Sequence, residues 1–176
     1  MTEDDIPGVS EVRVRGWQQA YAGVVPPAQL DSMTVQADIE RRRGFFRDPV
    51  NPADNLVASV EGTVRGWACV APSRDEDAAA GTGEIWAIYV HPSVWRQGIG
   101  RALMRSALQR LSQRELTPVT LWVLEANPHA RSFYERCGFV TDGSNKQFPI
   151  DGGSVTEVRY VRGVAADAEP TPAPRA

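Results

Sequence analysis

The sequence predicts an α/β domain whose sheet is mixed but mostly antiparallel, with one central β-α-β crossover and flanking helices. Three observations carry this expectation. Helical spacing dominates the first 47 residues, a tight hairpin follows at 56–70, and the remainder alternates strand and helix before closing on two strands. A length of 176 residues with 42% apolar content suits one domain with a substantial core, assigned here to residues 1–163.

Each element has its own signal. Thr2 followed by Glu3, Asp4 and Asp5 has the form of a helix start. Ile6, Val9, Val12, Arg13, Trp17, Ala20 and Tyr21 then recur at helical spacing until Gly23 and Pro26-Pro27 close the segment. A second helical stretch covers 28–47, with a break near 32–34. Strands are expected at 56–60 and 64–70, joined by the turn Glu61-Gly62-Thr63. Residues 72–83 are small, acidic and rich in Gly and Ala, which predicts a mobile loop. Further strands are expected at 85–90, 119–124, 139–141 onward and 155–161, with helices at 99–111 and 128–136. The tail 164–176 is rich in Pro and Ala and has almost nothing to bury, so disorder is expected there.

Composition excludes several classes. A net charge of −3 argues against a nucleic-acid partner. The run Arg41-Arg42-Arg43 is read as an exposed helix face, and Lys146, the only lysine, as a mark of codon usage. No run of about 18 apolar residues exists to span a membrane. The acidic start has the wrong sign for a targeting peptide, so a cytoplasmic location is expected. Cys69 and Cys137 are too few for a disulfide framework and are read as buried or filler thiols. His91 and His129 fall in no ligand-spaced cluster, so no metal is expected.

One turn carries chemistry. Trp95-Arg96-Gln97-Gly98-Ile99-Gly100 lies between a strand and an amphipathic helix. Its glycines let backbone approach a ligand, and the helix start adds unsatisfied N–H groups and a positive dipole end. Such a turn suits a pyrophosphate, with Arg96 and Arg101 adding charge, although tight packing alone would also account for it. A phosphate loop of the Walker kind is excluded, because no Gly-Lys-Ser/Thr follows. A dinucleotide fingerprint fails as well, since Leu103 stands where a third glycine belongs.

The surroundings decide between these readings. Glu84-Ile-Trp-Ala-Ile-Tyr-Val-His-Pro-Ser-Val-Trp-Arg-Gln-Gly-Ile-Gly-Arg-Ala-Leu-Met resembles the cofactor segment of the GNAT superfamily, the acetyl-CoA-dependent N-acetyltransferases. Leu121-Trp-Val-Leu-Glu-Ala-Asn-Pro-His-Ala-Arg-Ser-Phe-Tyr-Glu-Arg-Cys-Gly-Phe resembles the family's later segment. The resemblance covers residues 3–162 and is most specific over 84–139. Two departures stand out: Trp95 replaces the usual Arg or Gln at the head of the turn, and the family's opening strand is short or absent.

The resemblance implies acetyl transfer from acetyl-CoA to a primary amine by direct attack in a ternary complex. It implies that Ile88, Tyr89 and Val90 splay from the neighbouring strand and offer backbone groups to the cofactor, with the Val90 N–H meeting the thioester oxygen. The turn residues Arg96, Gln97, Gly98, Ile99, Gly100 and Arg101 would hold the pyrophosphate. Tyr134 would serve the leaving sulfur. Asn127 would contact the pantetheine arm while also capping the helix that Pro128 opens. Glu84, fourteen residues before Gly98, matches the catalytic glutamate of histone-type members and is the expected base, with Glu125 as runner-up and Glu135 as a surface charge. A neutral amine needing no base is a further alternative. Trp17 and Tyr21, one helical turn apart, would wall an aromatic acceptor pocket or pack in the core. The expected acceptor is a small amine or amino-acid-like molecule. A protein N-terminal or lysine acetyltransferase remains an alternative, as does a catalytically silent acyl-CoA-binding module. The family is often dimeric, so a homodimer is admissible.

Overall fold

A computed structural model describes residues 1–163, so the expectation of disorder at 164–176 lies outside the described residues. The first element is a 3-10 turn, Glu3–Asp5, in which the Asp5 carboxylate accepts the Thr2 N–H at 2.6 Å. Helix α1 (Ile6–Ala20) follows, then α2 (Pro27–Ser32) and α3 (Val35–Arg47). The break between α2 and α3 falls at Met33-Thr34, where the Thr34 hydroxyl caps α3 by accepting the Ala37 N–H. No strand precedes α1 among the described residues, as the sequence leads one to expect.

Six strands form one sheet: β1 (Asp54–Val60), β2 (Thr63–Pro72), β3 (Gly83–Val90), β4 (Val119–Leu124), β5 (Val140–Ile150) and β6 (Gly153–Arg162). Their spatial order is β1-β2-β3-β4-β6-β5. Only β3 and β4 run parallel, joined by α4 (Ile99–Gln113), while α5 (Pro128–Arg136) links β4 to β5. The mixed, mostly antiparallel sheet and its single crossover are therefore as the sequence predicts.

The two faces bury different things. On one, Met104, Ala107 and Leu111 of α4 and Tyr134 of α5 close over Val70, Ile85, Leu121, Val123, Phe139 and Tyr160. Gly66 permits the close approach of α4, because a Cβ there would lie 2.7 Å from Leu103 Cδ1. On the other face Val9 of α1 packs against Trp67, Cys69, Ala87 and Tyr89.

A bulge decides which side chains share that second face. Cys69 pairs with Ala87 but Val70 pairs with Ile85, so β3 carries one extra residue, Trp86. Strand residues alternate faces. With the extra residue, Glu84, Ala87 and Tyr89 all point the same way as Trp67 and Cys69.

Two expectations need correction. The loop between β2 and β3, expected to be mobile, is tied down. Ser73 N donates to the Thr82 carbonyl at 2.9 Å, the Trp122 indole donates to Asp75 at 2.9 Å, and Arg159 bridges Asp75, Asp77 and Asp142. Two of its three acids, Asp75 and Asp77, are paired with Arg159 of β6, which composition alone cannot show. The Arg41-Arg42-Arg43 run is not simply a solvated face either. Arg42 lies over the Trp67 ring at 3.9 Å and pairs with buried Asp38.

Candidate active site

Strands β3 and β4 pair only from Gly83 to Ile85 and from Val119 to Leu121. Beyond that β3 bonds to β2 alone and β4 to β6 alone, so a gap opens through the sheet. The His91 N–H donates to the Arg65 carbonyl at 2.8 Å. In an antiparallel ladder only alternate residues bond to a given neighbour. Tyr89 therefore faces β2, and Ile88 and Val90 turn their N–H and C=O groups into the gap. The Val90 carbonyl is taken by the Trp95 indole at 2.7 Å. Trp95 thus braces the strand end, a use of the departure at this position that sequence comparison did not foresee.

A cavity of about 1570 Å³ runs through this gap from the α4–α5 side to the α1–α3 side. At one end lie Arg96, Gly98, Ile99, Gly100 and Arg101, with Asn127, Phe133 and Tyr134 from the α5 region. Gly98 is the N-cap of α4 at φ 86°, a conformation that favours glycine, and it places no side chain on the first free N–H groups of the helix. Arg96 also has positive φ, 65°. The exposed Gln97 does not line the cavity, so its expected contact is not brought there by its side chain. Asn127 caps α5, its side-chain oxygen accepting the Ala130 N–H at 3.0 Å.

Tyr134 is buried and lines the cavity, and its hydroxyl makes no hydrogen bond among the described residues. Burial, with Tyr89 and Cys137 nearby, pushes its phenol well above the ordinary value, so the proton stays on oxygen at neutral pH.

At the other end Trp17, Tyr21, Glu84, Tyr89 and Phe148 line the cavity together. The Trp17 indole donates to the Tyr89 hydroxyl at 2.8 Å and meets Tyr21 edge-on at 4.6 Å. Burial, reinforced by Tyr89 and Tyr134, raises the Tyr21 phenol, while the nearby Asn127 side chain acts the other way. Glu84 is almost completely buried, unlike a solvated acid at a strand start, and its carboxylate receives the Arg74 backbone N–H at 2.9 Å as well as the Arg74 guanidinium. Glu125 is exposed and stands outside the cavity lining. Glu135 is exposed but accepts the Tyr160 hydroxyl at 2.8 Å. His91 Nδ1 is paired with the Ser93 hydroxyl at 2.8 Å, and His129 is an exposed residue of the first turn of α5.

Several lining residues carry no sequence signal. Glu157 of β6 faces the cavity with only a 3.8 Å contact to Lys146, and burial raises its carboxyl above the ordinary range. Lys146 itself lies over the Trp122 ring at 3.9 Å. Cys69 also lines the cavity, but burial pushes its thiol up to about 11.

A sequence profile described as the acetyltransferase (GNAT) family matches residues 17–139. An N-acetyltransferase of Bacillus subtilis, YuaI, is 30% identical over 125 residues, covering 71% of this chain and 69% of that protein. A mycothiol acetyltransferase of Propionibacterium freudenreichii is 32% identical over 122 residues, covering 68% of this chain but 37% of that protein. The crystal structure of the PaiA N-acetyltransferase of Thermoplasma acidophilum, in complex with coenzyme A, superposes with a TM-score of 0.72 at 20% identity, covering 93% and 95% of the two chains. The family profile and the Bacillus subtilis relative define the class, an acetyltransferase. This chain belongs to the GNAT acetyltransferase family.

Proposed function

We propose that the protein transfers an acetyl group from acetyl-CoA to the primary amine of a small molecule, by direct attack within a ternary complex. The single observation that carries this is the gap between β3 and β4, which turns the Ile88 and Val90 N–H groups toward a cavity with the α4 turn at one end and carboxylates at the other. The turn fits a pyrophosphate by its uncapped N–H groups and by Arg96 and Arg101. Acetyl-CoA supplies the activated thioester. The Val90 N–H steadies the oxygen on which charge develops, and Tyr134 donates a hydrogen bond to the departing sulfur. Because its phenol holds its proton more tightly than a free thiol, whose pKa is about 8.5, Tyr134 stabilises thiolate charge rather than surrendering the proton. A covalent route through Cys69 is disfavoured by the raised thiol. The small-molecule acceptor is supported by the kinship with proteins named for mycothiol.

Glu84 is the base suggested by resemblance, yet it sits six residues before Val90, roughly 16–20 Å at about 3.3 Å per residue. Arg74 also occupies its oxygens. Glu157 is less encumbered and near enough to raise Tyr21 and Tyr89, so it is the better-placed proton acceptor, with Glu84 anchoring Arg74. The test is calorimetric titration with acetyl-CoA, then thiol release against a panel of amines. Absence of binding at millimolar cofactor would sink the reading. Tyr134→Phe is expected to lower kcat about tenfold while acetyl-CoA affinity holds; unchanged turnover would remove Tyr134 from the chemistry.

A further inference from the structure

The acceptor end of the cleft has an uneven charge. Arg13 of α1 and Arg41 and Arg42 of α3 all line the cavity, and all three converge on one carboxylate, Asp38. The group therefore has two positive charges in excess of its own acid. Each guanidinium has five N–H donors in a planar fork, and each gives one to Asp38: Arg13 Nη1, Arg41 Nη2 and Arg42 Nε. Most of their donors are left for another partner. The side chain of Arg41 is 51% exposed, whereas those of Arg13 and Arg42 are 19% and 11% exposed. Asp38 itself does not line the cavity, so the wall shows cations to whatever enters.

The carboxylates of the cavity come from other elements, each with a cation near it: Glu84 with Arg74, and Glu157 with Lys146 at 3.8 Å. Glu157 faces the cavity from β6, and Tyr89 lies between, influenced by Arg13 and Arg42 as well as by Glu157. Of the acids in the loop after β2 only Asp75 lines the cavity, and it is held by Arg159 and the Trp122 indole. A molecule spanning this space with its amine at Glu157 meets guanidinium groups at its far end.

We propose that Arg13, Arg41 and Arg42 form a subsite for a carboxylate carried by the same acceptor molecule as the reacting amine. The acceptor is thus amino-acid-like, and a polycationic amine or basic peptide is disfavoured by like charge. Planar guanidinium forks match a carboxylate in two-point geometry, which fixes orientation as well as sign. Asp38 holds the forks in place before the acceptor arrives. The assignment rests on the acetyl-transfer reading for its amine end, but the anion site stands on its own geometry.

Two measurements separate the two claims. With acetyl-CoA as donor, amino acids are compared with their carboxamides, which lack the anion and have a less basic amine, so kcat/KM is referred to the concentration of neutral amine in each. Wild type is expected to favour the acids by about tenfold or more in kcat/KM. The double variant Arg13→Gln/Arg41→Gln is expected to raise KM about tenfold for the acids, with little change in kcat and none for the amides. Equal use of acids and amides by wild type, or equal loss on both in the variant, overturns the subsite. Independently, tryptophan fluorescence is titrated with N-acetylglycine and with N-acetylglycinamide, neither of which has a reactive amine. A response to the acid only, lost in Arg41→Gln, supports the subsite even if no amine is ever acetylated, an outcome that would defeat the transferase reading alone. No response to the acid, or the same response to both, defeats the subsite.

Discussion

The two ends of the cleft are made from different materials. At the α4 end the groups on offer are largely backbone N–H atoms, presented by residues that lie close together in sequence, Ile88 to Arg101. At the α1 end they are side chains from α1, α3, β3, β5 and β6, with partners as far apart as Trp17 and Tyr89. A backbone site depends on local conformation: a left-handed glycine, a helix start, a strand that stops pairing. A side-chain site depends on which elements the whole fold brings together. The first kind tolerates changes of side chain, as Trp95 shows, and the second can change specificity without disturbing the first.

The largest expected effect tests the side-chain end. A carboxylate must be ionised to accept a proton, and burial raises that of Glu157. Wild-type kcat/KM should therefore fall as pH drops through a value above the ordinary carboxylate range. Glu157→Gln is expected to lower kcat/KM about a hundredfold near neutrality and to abolish that acid limb. If the limb vanishes in Glu84→Gln instead, Glu84 is the base and the division of labour argued above is wrong.

The backbone end is tested by Gly98→Val, which forces a β-branched residue into the left-handed region. Acetyl-CoA should bind about thirtyfold more weakly by calorimetry, from a strain of roughly 2 kcal/mol at the turn. Full affinity in this variant would mean that the turn does not grip the cofactor.

The smallest effect on turnover, and the sharpest on the boundary between the ends, is expected from Asp38→Asn. The Asp38 side chain is 3% exposed and anchors three guanidiniums. Loss of that charge should cost about 2–3 kcal/mol of stability by urea denaturation at pH 7, with acetyl-CoA affinity unchanged. Burial alone would raise the Asp38 pKa, but Arg42, Arg13 and Arg41 outweigh it and lower it. Its contribution is thus present above the unfolded value of about 4 and is lost as pH falls through the lower folded value. The difference between wild type and variant should shrink in acid; a constant difference would assign the cost to packing instead.

The same contrast explains what could be read from the chain alone. Helices α4 and α5, the α2–α3 break at Met33-Thr34, the turn before α4 and the cap at Asn127 all rest on residues within a few positions of one another, and all were legible. Glu157, Lys146 and the Arg13–Asp38–Arg42 group were not. Each is an ordinary charged residue until the sheet order sets β6 beside β4 and α3 beside α1. The loop after β2 was misjudged for the same reason: its acids looked free because Arg159, more than 80 residues away, is what holds them.

Strand β3 has a phase as well as a sequence. Up to Ile85 its even-numbered residues share the face of Trp67 and Cys69, and from Ala87 onward its odd-numbered ones do, with Trp86 as the slip between the two. Drawing that residue into the regular ladder, with no bulge, would impose a single parity along the strand. If the Tyr89 end kept its setting, Glu84 would turn toward Met104 and Leu111, and Ile85 would take its place beside Arg74. The spacing between those neighbours, and not only their identity, is therefore part of what the active site encodes.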